Sequence, residues 1–193
     1  MDQSLERAVS ETVSEVKELF EDRGSAWYGG EAVSQLQHAL QSALFAERAA
    51  APPALIVAAL LHDIGHLLHN LPEDAAEQGI DDHHESRSAT WLRERFEAAV
   101  AEPVGMHVAA KRYLCAVDLD YFDRLSPASR TSLELQGGPM SADEVEVFEH
   151  RPNFDDAIRL RYWDDAAKVV DLETPPLEHF LPYVERAVQA AQS

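Results

Sequence analysis

Pro52-Pro53-Ala54-Leu55-Ile56-Val57-Ala58-Ala59-Leu60-Leu61-His62-Asp63-Ile64-Gly65-His66 is the stretch on which the reading of this chain turns. Two prolines open a helix, because proline's fixed φ suits the first turn and its missing N–H has no partner to lose there. From Leu55 to Leu61 the helix is apolar on every side, which places it at the centre of a helical fold. The run is far too short to span a bilayer. At its end a histidine is joined directly to an aspartate. Consecutive side chains on a helix project about 100° apart. One of the pair can therefore ligate a cation terminally while the other bridges to a second cation. An unpaired aspartate at the end of so buried a helix carries a desolvation cost that a cation removes.

Working outward, the helical period dominates. Residues 3–22 put Leu5, Val9, Val13, Val16, Leu19 and Phe20 on one stripe. Arg23 to Gly30 is a glycine-broken loop, and Ser34 is an N-cap for a helix reaching about Ala50. His69 to Asp82 is polar, contains Pro72 and Gly79, and reads as a loop. Helices are expected over 84–99, 103–115 and 118–124, then from Pro127 to the stop at Gly137-Gly138-Pro139, and over 141–149, 154–169 and 177–191. Sustained β-alternation, internal repeats and a linker are absent. The expected architecture is an all-α helical bundle forming one domain over residues 1–193.

Composition bounds the function. With 46% hydrophobic and 26% charged residues the chain is ordinary for a globule. Its 35 acidic against 16 basic residues give a net charge of −19. Nucleic acid is a poor partner for such a surface, since phosphate neutralisation needs clustered Lys and Arg. A single cysteine, Cys115, excludes an internal disulfide and suits a reducing cytoplasm. No secretory leader is visible in the acidic opening with Asp2, Glu6 and Glu11. No membrane contact is expected, and oligomeric state is left open.

If His62-Asp63 holds metal, further donors must come from elsewhere, and the chain offers His38, His84, His107 and Asp164. Singly, each has an ordinary reading. His38 follows Leu36 on an apolar helix and could be a packed core histidine. His84 has His83 beside it, and one of the two is solvated. His107 sits among Val104, Met106 and Val108, where an imidazole without a partner is awkward. Asp164 and Asp165 are adjacent, so only one faces inward while the other makes a surface or cap contact.

In that order, the donors resemble the ligand string of a two-metal HD-domain site. Other stretches narrow the likeness: Trp27-Tyr28-Gly29-Gly30-Glu31, Val33-Ser34-Gln35-Leu36-Gln37-His38, His107-Val108-Ala109-Ala110-Lys111-Arg112, Leu125-Ser126-Pro127-Ala128-Ser129, Leu135-Gln136-Gly137-Gly138-Pro139 and Leu160-Arg161-Tyr162-Trp163-Asp164-Asp165. From Trp27 to Lys168 the chain resembles the phosphonate-degrading HD-domain oxygenases, which share mixed-valent di-iron chemistry with myo-inositol oxygenase. The resemblance implies an HD-domain bundle in which His38, His62, Asp63, His84, His107 and Asp164 hold two iron ions, Fe(II)/Fe(III), with Asp63 bridging. O2 is then a co-substrate. Tyr28 would coordinate or cover one iron until substrate displaces it, and Glu31 would meet a cationic nitrogen on the substrate. His66, Lys111, Ser129, Ser132 and Arg161 would hold the phosphonate. The implied reaction cleaves the C–P bond of a small 1-hydroxy-2-(amino or trimethylammonio)ethylphosphonate, giving phosphate and glycine or glycine betaine.

Arginine suits bidentate anion recognition, and lysine serves as a compact point charge. Lys111 could instead be a solvated helix residue, Arg161 a partner of Asp156 or Asp165, and Tyr28 a loop aromatic. Two other functions remain: a metal-dependent HD phosphohydrolase of a nucleotide or phosphate ester, and a non-catalytic HD module. Nothing in the sequence separates a free amine from a trimethylammonium, since Trp27, Tyr28, Tyr162 and Trp163 could serve either.

Overall fold

A computed structural model describes residues 3–68 and 83–192; the expected loop from His69 to Asp82 lies outside them. The described residues form helices α1 (Gln3–Arg23), α2 (Gln35–Arg48), α3 (Pro53–Leu61), α4 (Ile64–Leu67), α5 (His84–Arg93), α6 (Ala98–Val117), α7 (Tyr121–Arg124), α8 (Pro127–Leu135), α9 (Ala142–Glu149), α10 (Phe154–Ala166) and α11 (Leu177–Ala191). No strand occurs among them, only an isolated antiparallel bridge between Trp27 and Ser34. The fold is all-α.

Local chemistry sets the helix starts. Ser34 caps α2 through a capping box with Gln37, and Ser141 does the same for α9 with Glu144, so two otherwise orphaned N–H groups are satisfied at each end. Ser126 caps α8, with Pro127 at its first position. α3 is buried from Leu55 through Leu61 and packs against α2, α6, α10 and α11. Its side chains join Val16 and Phe20 of α1 and Phe180 and Val184 of α11 in the main core. Cutting Leu60, 1% exposed, to alanine would cost about 2–5 kcal/mol. Two smaller clusters, one around Met106 and Phe148 and one around Tyr121 and Leu133, fill the space between α6 and the later helices.

Two expected boundaries are corrected. The helix expected over 84–99 ends at Arg93, and α6 begins at Ala98, which leaves Pro103 inside a helix rather than at its start. Tertiary contacts fix that break: Arg95 lies over the Trp91 ring at 4.2 Å and pairs with Glu15 of α1 at 3.1 Å, while Phe96 enters the core. The helix expected over 154–169 stops at Ala166. Beyond it the backbone is strapped to α2: Nδ1 of His38 lies 2.8 Å from the Ala167 carbonyl, and the Gln41 amide accepts from Val169 N and donates to Val169 O. Competition from these side chains ends the helix early. No described helix is long and apolar enough to cross a membrane.

Candidate metal centre

The dipeptide does not sit on one continuous helix. His62 is the C-cap of α3, with helical dihedrals, while Asp63 has φ −103° and ψ 14° and breaks the chain before α4. The break lets the carboxylate look sideways into the space between α2, α5, α6 and α10. His38 comes from α2, His84 from the first turn of α5, His107 from α6 and Asp164 from α10. At the start of α5, His83 adopts left-handed φ 50° and is exposed, and His84 is the inward member of that pair.

Three of the imidazoles are oriented by backbone carbonyls. Nδ1 of His38, His62 and His107 lies 2.8, 2.9 and 2.7 Å from the carbonyls of Ala167, Ala59 and Val104. Donating at Nδ1 leaves a lone pair on Nε2, the arrangement found in metal-ligating histidines. These lone pairs converge. Nε2 of His38 lies 3.0 Å from that of His62, and Nε2 of His84 lies 3.1 Å from that of His107. Facing lone pairs repel unless a proton or a cation stands between them.

Asp63 divides its two oxygens between the two histidine pairs. Oδ2 lies 3.6 Å from His38 and 3.4 Å from His62, while Oδ1 lies 3.5 Å from His84 and 3.4 Å from His107. Asp164 Oδ1 completes the first set at 3.4 Å from His38. Both Asp63 oxygens are buried without a hydrogen-bond partner among the described residues. Such orphaned acceptors are costly unless a cation satisfies them. Donors bound to one ion at about 2.1 Å stand roughly 3.0–3.4 Å apart, close to the spacings seen here. The residues fit two metal ions: one among His38, His62, Asp63 and Asp164, the other among Asp63, His84 and His107.

The electrostatics agree with a cation-binding cluster. Burial disfavours the charged form of His38, but the neighbouring Asp164 and Asp63 carboxylates outweigh it and raise the imidazole to about 9. Burial, with the nearby His38 and His107, lowers His62 to about 4. Two facing imidazoles share one positive charge. Burial would raise the Asp63 and Asp164 carboxyls; His62 and its neighbours hold the first well below the usual range, and Arg161 and His38 the second. The carboxylates therefore stay anionic.

A second group of expected residues surrounds this centre. The Tyr28 ring stacks on His38, centroids 3.7 Å apart and planes 13° apart, and its hydroxyl lies 3.4 Å from Asp164 Oδ1. Burial, with Asp164 and Asp63 nearby, pushes that phenol well above its ordinary value, so it is a neutral phenol here. His66 stacks on His84 at 4.1 Å. Lys111 is 2% exposed and donates to Ser132 Oγ at 2.8 Å; Ser132 in turn donates to the Ser129 carbonyl. Glu31 lies further out, accepting from Ser126 Oγ.

Arg161 departs from the simple expectation. Its guanidinium donates to Asp164 Oδ2 at 2.8 Å, to both oxygens of Asp165 and to the Tyr121 hydroxyl. It therefore holds the far oxygen of a candidate metal ligand. Asp165 is not the surface or cap residue expected, but a half-buried partner of Arg161 and Tyr121. Sequence reasoning also missed Lys168, which donates to Ser129 Oγ at 2.9 Å, lies 3.5 Å from Glu31 and sits over the Tyr28 ring. No spacing rule could find it, because the strap onto α2 creates its position.

Comparison with known proteins bears on this geometry. The HD domain model matches residues 36–128. Over 170 residues the chain is 46% identical to the [1-hydroxy-2-(trimethylamino)ethyl]phosphonate dioxygenase (glycine-betaine-forming) of Leisingera caerulea, covering 88% of this chain and 87% of that one. Over 187 residues it is 44% identical to the hydroxymethylphosphonate dioxygenase of Gimesia maris, covering 96% and 92%. The chain belongs to the HD-domain phosphonate dioxygenases. A further relative, an uncharacterised protein of Acanthamoeba polyphaga mimivirus, is 35% identical over 175 residues, 89% of this chain and 80% of that one. The HD match contains His38, His62, Asp63, His84, His107 and Lys111 but stops short of Arg161, Asp164 and Lys168. Likeness to the dioxygenases extends over most of the chain.

Proposed function

We propose that this chain is a di-iron oxygenase that cleaves the C–P bond of a 1-hydroxy-2-(amino or trimethylammonio)ethylphosphonate. The observation that carries this reading is Asp63, whose oxygens face separate histidine pairs beside a buried group of cations. His38, His62, Asp63 and Asp164 would hold one iron, and Asp63, His84 and His107 the other. Imidazole and carboxylate donors suit iron. Bound there, a mixed-valent Fe(II)/Fe(III) pair would supply the redox chemistry for oxidation by O2 of the carbon bearing the hydroxyl.

In the balanced reaction a hydroxyalkylphosphonate and O2 give a carboxylate, inorganic phosphate and a proton. The substrate supplies all four electrons, so no external reductant is consumed. The protein's own residues position and screen. Lys111, Arg161, His66, Ser129 and Ser132 meet the phosphonate, concentrating positive charge inside a chain of net charge −19. Tyr28 covers His38 at rest and must yield to substrate. Glu31 receives the substrate's cationic nitrogen. Both dioxygenases named above act, by their names, on phosphonates, one bearing a trimethylamino group and the other without nitrogen.

The test is a product assay on iron-loaded protein with aminated hydroxyphosphonates and with a chromogenic phosphomonoester. Phosphate together with glycine or glycine betaine from the former, and none from the latter, is expected. Comparable turnover of the phosphomonoester would establish a hydrolase instead.

A further inference from the structure

Lys168 occupies a position that the reaction as described does not use. Its ammonium touches two groups with opposite prospects: Ser129 Oγ at 2.9 Å, on the phosphonate side, and Glu31 at 3.5 Å, on the nitrogen side. The Lys168 and Glu31 side chains are only 12% and 16% exposed, so solvent screens the pair weakly. Among the described residues Glu31 also accepts from Ser126, which spends its hydroxyl proton on that carboxylate while accepting the Ser129 N–H in capping α8.

A zwitterionic substrate carries the complement of each member of this ion pair. We infer that Lys168 and Glu31 exchange partners on substrate binding: the substrate's ammonium takes Glu31, and Lys168 turns to the phosphonate at Ser129. The ion pair then acts as a specificity device. An amine-free phosphonate must either leave Lys168 with Glu31 or strand a half-buried carboxylate, and a zwitterion does neither. Lys168 thus couples recognition at the two ends of the substrate. This inference rests on the phosphonate reading of the site.

The experiment measures dissociation constants by calorimetry for ethylphosphonate and 2-aminoethylphosphonate, which lack the reactive hydroxyl and bind without turnover. Under partner exchange, Glu31→Gln frees Lys168, so ethylphosphonate should bind about threefold or more tightly while 2-aminoethylphosphonate binds more weakly. The gain for ethylphosphonate should disappear in a Lys168→Met background and persist in Lys168→Arg, which keeps the charge. A gain of equal size in the Lys168→Met background would overturn the exchange, because it would report only the loss of a negative charge near the anion. No gain in Glu31→Gln alone would overturn it too. Wild-type protein binding neither phosphonate would instead defeat the underlying reading of the site.

Discussion

Gly65 donates its backbone N–H to Ser88 Oγ at 2.8 Å, and a Cβ at Gly65 would stand 2.2 Å from the His84 carbonyl oxygen. The short helix behind Asp63 and the helix that starts at His84 thus touch backbone to backbone. Only a glycine allows that approach, and the approach sets the distance between Asp63 Oδ1 and His84.

Gly65→Ala should therefore push α4 and α5 apart. Overpacking of this kind costs about 1–3 kcal/mol, and it falls on the His84 side of the centre. The expected result is a lowered unfolding midpoint, with metal lost from the Asp63–His84–His107 set first. Unchanged stability and metal content would show that the close approach is not needed.

The two metal sets share Asp63 but not their histidines. Asp63→Ala should lower bound iron from about two per chain to nearly none, while His107→Ala should leave the His38–His62 set able to hold one. Iron analysis and spin resonance after partial oxidation check this. If both variants retain equal amounts of metal, Asp63 is not the bridge.

Much of this was legible beforehand. Capping serines, helix-opening prolines and apolar stripes fix where helices begin, and the order His38, His62-Asp63, His84, His107, Asp164 names donors that the fold brings together. Features arising from tertiary competition were not legible. Arg95 and Phe96 break a helix by reaching other elements, Gln41 and His38 end α10 by taking backbone partners, and Lys168 faces Glu31 only because of that strap. The pairing of Arg161 with Asp165 is legible in the sequence, but adjacency does not reveal that Asp164 serves the same guanidinium.

Lys111 gives a pH prediction. Burial and the Arg161 cation lower its ammonium from 10.5 to about 7. With the charged form as the proposed phosphonate contact, kcat/KM should fall as pH rises through about 7, and Lys111→Arg should move that limb to higher pH because a guanidinium stays charged. Stability runs the other way. Between pH 7 and 10.5 the unfolded chain binds more protons at this lysine than the folded one, so its destabilising effect is full below 7 and relieved as pH rises. A Lys111→Met variant with the same alkaline stability slope as wild type would contradict the assignment.

Tyr28 stacks on His38 and reaches Asp164 through its hydroxyl. Tyr28→Phe keeps the ring and removes the oxygen. The absorption spectrum of resting iron-loaded protein should change, while the dissociation constant for 2-aminoethylphosphonate should stay within about threefold, a change worth less than about 1 kcal/mol. An unaltered spectrum would place the hydroxyl away from the iron.

The most direct test of the whole account is phosphate release from 1-hydroxy-2-aminoethylphosphonate by iron-loaded protein, measured with and without O2. An O2-consuming C–P cleavage predicts one phosphate and one glycine per O2 consumed in air and no phosphate under argon. Equal phosphate release under argon would contradict it and assign the two-metal centre to hydrolysis.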